Sequence, residues 1–372
     1  MSKVLLGDVA VEHKETCKGS KDGYPIVGLE HLIPEEITLT AWDEGGENTF
    51  SKMFRKGNVL FGRRRAYLKK AAVAPFDGIC SGDITVIEAK PDRILPELLP
   101  FIIQNDDLFD FAVGKSAGSL SPRVKWEHLK NYEFELPDME KQKELAELLW
   151  AMDNTKKSYQ KLIAATDELV KSQFIEMFKS IQRDEYKPLK EVCTLITDGT
   201  HNPPKFKDSG IPFILVSNIT GNVVTYDTPK YISEDDYNVL MKRTPIEKGD
   251  VLLSTVGSYG HPAIVTEDRP FAFQRHIAHL KPNRELLTSE FLHAAILSSV
   301  VQEQIEVSVL GVAQKTLNLS AIKQIQIPVP TIDEQKLFVT FVEQSDKSKF
   351  ELEKALSELT ATYKRIIAEN LG

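Results

Sequence analysis

The fold is decided by residues 137–178, PDMEKQKELAELLWAMDNTKKSYQKLIAATDELVKSQFIEMF. After its first residue this stretch follows a helical period and contains no Gly and no further Pro. A second stretch of the same kind starts at residue 330, PTIDEQKLFVTFVEQSDKSKFELEKALSELTATYKRIIAENL. Helices of globular proteins usually have three or four turns, so both stretches predict helices of unusual length.

The two stretches belong to an internal repeat. The segment KGNVL (56–60) recurs 192 positions later as KGDVL (248–252). From residue 118 to residue 171 the offset is a constant 193, and nine of these 54 positions are identical, where chance would give about three. A period of this length is far too long for one unit of a solenoid. The chain is therefore predicted to be a tandem duplication in which each copy is a domain followed by a long helix.

Length and composition limit the class of protein. A chain of 372 residues with 42% hydrophobic and 27% charged residues predicts two or three globular domains and excludes disordered and collagen-like chains. The three cysteines form no C-x-x-C pair, so neither a cysteine metal site nor a disulfide framework is expected. No apolar run has membrane-spanning length and no signal peptide is recognisable, so a cytoplasmic protein without membrane contact is expected. The net charge of −8 argues against indiscriminate nucleic-acid binding but leaves room for a local basic face.

The region before each long helix has a mixed pattern. In the second copy, four short apolar runs between turn residues predict strands at 212–216, 251–254, 263–266 and 325–329. A helical stretch over 289–301 has its counterpart at 96–111 in the first copy. We therefore expect the α+β class, with two tandem mixed domains at 1–137 and 186–330 and two helical spacers at 138–185 and 331–372.

The long helices carry a heptad pattern. Steps of three and four residues connect Leu145, Leu148, Met152, Thr155, Tyr159, Leu162, Thr166, Leu169 and Gln173. The positions 193 residues later, from Phe338 to Ile366, follow the same register. We expect the two helices to bury these seams against each other as an antiparallel coiled coil within the chain. The alternative is that each helix packs only on its own domain.

A basic run lies in the first copy. Residues 51–75 include no acidic residue and eight basic ones, namely Lys52, Arg55, Lys56, Arg63, Arg64, Arg65, Lys69 and Lys70. The segment RRRAY (63–67) follows a predicted strand at 58–61, where guanidinium groups could contact phosphates and guanine edges. A charged edge strand that prevents aggregation is the alternative, and the run alone does not separate the two. In the second copy, Ser258, Tyr259 and His261 stand in place of the arginines, so the two copies are not expected to bind the same DNA sequence.

Several short motifs in fixed order resemble a known family. In the second copy they are DGTH (198–201), GIPF (210–213), KGDVL (248–252), GVAQK (311–315) and IPVP (327–330), the last leading into Glu334-Gln335. In this order, and over essentially the whole chain, they resemble the specificity subunit of type I restriction-modification systems. The first copy departs from the pattern, because it lacks D-G-T-H and has GSLSPRVK (118–125) in place of G-x-A-Q-K.

The resemblance implies a non-catalytic DNA reader. Each recognition domain would contact one half of a bipartite target in double-stranded DNA, and the helices would set the gap and dock two methyltransferase (modification) subunits. Whether a restriction/translocase subunit also binds is left open. No cofactor, metal or catalytic residue is expected in this chain, and S-adenosylmethionine, ATP and Mg²⁺ are expected in the partner subunits. The residues predicted to contact DNA are Arg63, Arg64, Arg65, Tyr67, Lys69, Ser119, Arg123, His201, Ser258, Tyr259, His261, Gln314 and Lys315, and those predicted to dock partners are Gln142, Lys143, Gln335 and Lys336.

Two other functions are alternatives to a specificity subunit. The segment NPPK (202–205) is similar to the N-P-P-aromatic motif of adenine methyltransferases, which would make the chain a self-sufficient methyltransferase. Its fourth residue is Lys205 rather than an aromatic residue, and no Gly-rich turn precedes it to hold the cofactor. The third hypothesis is a coiled-coil scaffold that binds no nucleic acid.

Overall fold

The computed structural model describes residues 2–45, 48–202, 204–309 and 315–372. Its contacts divide the chain into two units, Met1–Lys161 with Leu352–Gly372 (unit 1) and Leu162–Glu351 (unit 2). Each unit therefore consists of one mixed region together with part of both long helices.

Unit 1 is built from short strands and helices that match the α+β prediction. Its strands are β1 (Ser2–Leu5), β2 (Ala10–Glu12), β3 (Glu15–Thr16), β4 (Ile26–Val27), β5 (Lys52–Phe54), β6 (Val59–Gly62), β7 (Ala71–Val73), β8 (Gly78–Cys80), β9 (Ile84–Ala89) and β10 (Glu133–Leu136). Its helices are α1 (Leu6–Val9), α2 (Leu99–Ile103), α3 (Asp106–Gly114), α4 (Trp126–Leu129) and the beginning of α5 (Met139–Phe178), and Ala66–Leu68 forms a 3-10 turn.

Two sheets organise unit 1. One is antiparallel in the order β2-β9-β6-β7, and the other, β3-β5-β8-β4, contains a parallel pair between β4 and β8. Strand β6 is wholly buried, and its Phe61 stacks on Phe109 of α3 with ring centroids 5.4 Å apart. The apolar sequence Val59-Leu60-Phe61 forms a central strand because helices α2 and α3 cover one of its faces and the second sheet with its loops covers the other.

Unit 2 repeats this arrangement. Its strands are β11 (Lys187–Pro188), β12 (Cys193–Asp198), β13 (Ile211–Ile214), β14 (Tyr231–Ile232), β15 (Val251–Ser254), β16 (Pro262–Ile264), β17 (Ala272–Phe273), β18 (Ile277–Pro282) and β19 (Gln326–Ile327). Its helices are α6 (Leu189–Val192), α7 (Glu234–Met241), α8 (Ser289–Leu297), α9 (Ser299–Ser308), α10 (Leu319–Ile322) and the beginning of α11 (Ile332–Leu371), with 3-10 turns at Arg183–Glu185 and Val216–Asn218. The sheet β12-β18-β15-β16 corresponds strand for strand to β2-β9-β6-β7, and β13 pairs in parallel with β17 as β4 does with β8.

The repeated K-G-(N/D)-V-L segment forms the same turn in both units. Gly57 and Gly249 have φ angles of +89° and +90°, a backbone conformation that glycine adopts without a steric penalty. The following side chain accepts a backbone N–H three residues upstream, 2.8 Å from Arg55 N to Asn58 Oδ1 and 2.9 Å from Glu247 N to Asp250 Oδ2. This agreement in backbone and side-chain geometry confirms the predicted duplication.

Both long helices start two residues after a proline, close to the predicted positions. At the start of α5, the Asp138 side chain accepts the N–H of Lys141. At the start of α11, the side chains of Thr331 and Glu334 each accept the backbone N–H of the other residue. Each helix is 40 residues long. Helix α5 ends at Phe178, before the predicted boundary at residue 185.

The helices are antiparallel neighbours within each unit. In unit 1, Leu145 and Leu149 near the start of α5 share a core with Ile367 and Leu371 at the end of α11. In unit 2, the rings of Phe174 and Phe178 at the end of α5 lie 5.4 and 5.6 Å from the Phe338 ring near the start of α11. The predicted antiparallel pairing of the helices is therefore confirmed.

The predicted seam is wrong at every second position. Leu148, Leu162 and Leu169 are 45%, 51% and 52% exposed, whereas Leu149 is fully buried and Ile163 and Val170 are partly buried. The seam advances by four and then three residues instead of three and then four. Adjacent apolar pairs such as Leu148-Leu149 satisfy both patterns, so only packing against the partner helix selects one.

Local predictions in unit 2 are confirmed with small shifts. Strand β15 has the predicted bounds, and each of the other three predicted strands begins one residue and ends two residues from its predicted position. The helix expected over 289–301 is interrupted at Ser298, whose extended backbone (φ −62°, ψ 149°) ends α8 and starts α9.

Candidate nucleic-acid interface

In unit 1, the loop after β6 lies beside the segment that precedes α4. Arg64 pairs with Arg123 in an antiparallel bridge, and the N–H groups of Arg65 and Val124 donate across it to Pro122 and Arg63 at 2.8 and 3.0 Å. The basic loop and the 118–125 segment, both predicted to contact DNA, thus form one surface.

Asp83 connects the two arginines of this surface. Its carboxylate accepts Nε and Nη2 of Arg123 at 2.7 and 3.3 Å and Nη1 of Arg64 at 3.4 Å. The hydrogen bond from Arg123 is the main reason that the pKa of Asp83 lies below its usual range, and the nearby Arg64 adds to the effect. Asp83 was not among the predicted site residues. It lies about twenty positions from one arginine and forty from the other, and no local pattern connects them.

The basic run separates into two groups. Lys52 and Lys70 donate to backbone carbonyls, Arg55 pairs with Glu15 and Asp77, and Lys69 pairs with Asp106 at 2.6 Å. The pair with Asp106 raises the pKa of Lys69. These four residues form contacts within the domain, and one of them, Lys69, is a predicted DNA contact whose charge is paired with Asp106. Arg65, Tyr67 and Ser119 are exposed, and Arg63 is partly buried.

Unit 2 forms the equivalent surface with different side chains. Val256 bridges Thr316, and the Leu317 N–H donates to the Thr255 carbonyl at 2.8 Å, as Arg64 bridges Arg123 in unit 1. Here Tyr259 donates to Glu306 at 2.6 Å. Lys315 donates to the Tyr259 hydroxyl at 3.3 Å, and this contact followed by the Glu306 charge raises the pKa of Lys315. Ser258 and His261 are exposed, and Gln314 lies outside the described residues.

The D-G-T-H segment continues this surface in unit 2. His201 Nε2 lies 2.7 Å from Asp198 Oδ2, and Arg243 donates to the other oxygen of the same carboxylate. Gly199 is required here, because a Cβ atom would lie 2.3 Å from the carbonyl oxygens of Phe273 and Gln274.

A cleft in unit 2 is lined by an arginine and two histidines. It is lined by Asp198, His201, Arg275 and His276 beside Thr255 and Val256. Burial, then the charges of Arg275 and His201, lower the pKa of His276. Arg243, Arg275 and His276 were missed from the sequence because they are brought to His201 only by the fold.

The prediction that Gln142 and Gln335 dock partners is wrong for their side chains. They are 2% and 0% exposed, and both amides form hydrogen bonds inside the protein. Each Nε2 donates at 2.9 Å to the carbonyl of the preceding proline, and each Oε1 accepts a backbone N–H, from Leu95 at 2.8 Å or Thr288 at 2.9 Å. Lys143 and Lys336 are exposed, and docking through them stays a prediction.

Comparison with known proteins agrees with this architecture. The profile of the type I restriction modification DNA specificity domain matches twice, at residues 6–165 and 184–360. The chain belongs to this family. The EcoBI specificity subunit of Escherichia coli is 28% identical over 268 residues, which cover 63% of this chain and 56% of that protein. The MjaVIII specificity subunit of Methanocaldococcus jannaschii is 21% identical over 90% of this chain and 79% of that protein.

Solved structures share the fold. A chain from a study of assembly and conformational transition of the type I R-M system aligns with a TM-score of 0.58 at 20% identity, covering 99% of this chain and 97% of that one. The S subunit of a type I system from M. genitalium aligns with a TM-score of 0.54 at 14% identity, covering 98% and 94%. Within the described residues, none of the helices is both long and apolar enough to cross a membrane.

Proposed function

We propose that this chain is the non-catalytic DNA-specificity subunit of a type I restriction-modification complex, with each unit reading one half of a bipartite target. The observation that carries the proposal is the double match to the specificity-domain family, one match for each copy of the duplication. The equivalent surfaces differ in chemistry, with Arg64 and Arg123 in unit 1 where unit 2 has Val256 and Thr316. Two related readers with different side chains suit a target whose halves differ in sequence.

The catalytic groups belong to partners in this proposal. Two methyltransferase subunits would bind the two copies, bringing S-adenosylmethionine, and a restriction subunit would bring ATP and Mg²⁺ chemistry. The exposed Lys143 and Lys336 occupy equivalent positions of the two copies and are candidate contacts. A cytoplasmic location is part of the same proposal. The alternative of a self-sufficient methyltransferase receives no support from the family match.

The helices would set the gap between the half-sites. Two antiparallel helices of 40 residues each would act as a stiff spacer, and each residue contributes about 1.5 Å along a helix axis. Half-site spacing would then be a geometric property of this chain.

Methylation sequencing of the source genome tests the proposal. A strain with this chain should show one methylated bipartite motif, and a strain lacking it should lose methylation at that motif and at no other. Purification through a tag on the chain should recover a methyltransferase in a ratio of two to one. Methyl transfer by the purified chain alone, or an unchanged methylome, would refute the proposal.

A further inference from the structure

The Asp83 carboxylate is an unexpected group on a surface proposed to contact DNA. It carries the same charge as phosphate, so on electrostatic grounds alone it weakens DNA binding. Its side chain is 22% exposed and lies between Arg64 and Arg123. A negative charge at this position therefore needs a reason other than general affinity.

The contacts of the two arginines supply that reason. Arg64 is held at Nε by Ser121 and at Nη1 by Asp83, and Arg123 is held at Nε and Nη2 by Asp83. Among the described residues, none accepts a hydrogen bond from Nη2 of Arg64 or Nη1 of Arg123, and the two side chains are 40% and 41% exposed. Arg64 is thus held at two of its nitrogens and Arg123 along one edge, and each guanidinium keeps N–H donors for a ligand.

The domain fold does not need this carboxylate. Unit 2 forms the same backbone bridge between Val256 and Thr316, and the residue 193 positions after Asp83 is His276. Neither bridge residue of unit 2 is charged. The Asp83 cluster is therefore a property of the first reader, and a general requirement of the fold does not explain it.

Fixed guanidinium groups suit recognition of base edges. Arginine is the usual bidentate partner of guanine O6 and N7 in the major groove, and a side chain that is already held in place loses less conformational entropy on binding. A guanidinium that only neutralises phosphate needs no such fixation.

We propose that Asp83 is a positioning residue that orients Arg64 and Arg123 to read guanine in the half-site recognised by unit 1. This inference rests on the proposed function. It predicts that removal of the Asp83 charge has opposite effects on specific and on non-specific DNA binding.

The test uses the complex purified through a tag on this chain and a library of randomised duplex DNA. Wild type should enrich a motif with two halves, one of them containing guanine. Asp83→Asn should lose base preference in that half, keep the other half unchanged, and bind non-specific duplex at least as tightly as wild type. The ratio of specific to non-specific affinity should fall about tenfold or more. The half-site read by unit 2 is an internal control for folding and assembly.

Two further variants separate positioning from charge. Arg123→Lys keeps the charge but loses the planar fork, and it should reproduce the loss of preference in the same half-site. Asp77→Asn makes the same charge change at another carboxylate paired with an arginine, Arg55, outside this cluster, and it should leave both half-sites intact.

Three results would count against the inference. Retention of both half-sites by Asp83→Asn would show that the carboxylate does not position the arginines. Loss of both half-sites together would show a role in structure or assembly. A wild-type complex that enriches no bipartite motif would instead refute the proposed function, and the inference with it.

Discussion

The backbone N–H of Thr288 donates to Oε1 of Gln335 at 2.9 Å, which joins the start of α8 to the start of α11. Gln335 also donates to the carbonyls of Leu286 and Pro330 at 2.8 and 2.9 Å. Gln142 holds the start of α5 in unit 1 through Leu95 and Pro137 in the same way. The glutamine shared by the two copies thus connects each mixed region to its long helix through hydrogen bonds.

Replacement of Gln335 by Leu is expected to destabilise the protein by about 3 kcal/mol. The change leaves one buried N–H and two carbonyls without their partner, and each such group costs roughly 1–3 kcal/mol. Urea unfolding followed by circular dichroism measures the effect. Gln344→Leu, at an exposed position of the same helix, should change stability by less than about 0.5 kcal/mol. Equal effects of the two substitutions would contradict the structural role of the Gln335 hydrogen bonds.

A buried hydrogen-bonded pair in unit 2 is expected to destabilise the protein when one partner is removed and to be replaceable when both are changed together. Asp250 and His279 are both fully buried, with 2.7 Å between Asp250 Oδ2 and His279 Nε2. Asp250→Ala should cost about 3 kcal/mol, because it leaves His279 Nε2 and the backbone N–H of Glu247 without their partner, and each such group costs roughly 1–3 kcal/mol.

The residues at the equivalent positions of unit 1 indicate which substitutions should restore the stability lost in Asp250→Ala. At the equivalent positions it has Asn58 and Val86, so the double variant Asp250→Asn/His279→Val should recover most of the lost stability. All three tryptophans, Trp42, Trp126 and Trp150, belong to unit 1. Unfolding of Asp250→Ala should therefore appear in circular dichroism at lower urea concentration than in tryptophan fluorescence. A double variant no more stable than Asp250→Ala would contradict the prediction.

Unit 2 is expected to lose stability in mild acid through His293. Burial lowers the pKa of His293 to about 4, below the unfolded value of about 6.5. Between these values the unfolded chain binds more protons, so stability falls as pH falls through that window. The loss from this residue should be roughly 2 kcal/mol at pH 5.

The variant His293→Gln isolates this contribution. It cannot take up the proton, so its free energy of unfolding should depend less steeply on pH between 7 and about 4.5 than that of wild type. The comparison uses urea unfolding by circular dichroism at several pH values. Parallel profiles for the two proteins would show that His293 does not titrate on unfolding.

The triple variant Arg63→Ala/Arg64→Ala/Arg65→Ala should weaken DNA binding by the assembled complex and flatten its salt dependence. Each lost phosphate contact lowers the slope of log affinity against log salt by about 0.9. Lys70→Ala is the matched control, since its ammonium group donates to the Leu29 carbonyl at 2.7 Å inside the domain. Fluorescence anisotropy with duplex DNA at several salt concentrations gives the slopes. An unchanged slope in the triple variant would mean that the run is only a solvated edge.

Lengthening both helices by one heptad should widen the gap between the half-sites. Asp167 of α5 pairs with Lys349 of α11 at 2.7 Å. One heptad with the apolar spacing of the seam would be inserted after Asp167, and another before Lys349, so that the helices stay in register. The added length is about 10 Å, or about three base pairs at 3.4 Å each. Methylation mapping should show unchanged half-sites with a longer gap. An unchanged gap, or altered bases in either half, would mean that the helices do not set the spacing.

The sequence predicted those features that depend on residues close together in the chain, such as helix caps and glycine turns. The two prolines with their capping residues predicted where α5 and α11 begin, and the Gly57 and Gly249 turns were visible as a repeat. The exposed surface was identified in part, since Arg64 and Arg123 were both predicted. Their partner Asp83 was not, because only the fold brings it to them.

The amino-acid sequence by itself determined the duplication, the mixed class of each copy and the long helices, because these follow from spacing along the chain. Only the tertiary structure decided which face of α5 is buried, since Leu148 and Leu149 fit a helical seam equally well until a partner helix packs against one of them. It also decided that Gln142 and Gln335 are interior residues and that His201 and Arg243 both contact the carboxylate of Asp198. Burial and hydrogen bonding depend on groups that are distant in sequence, and no local pattern contains that information.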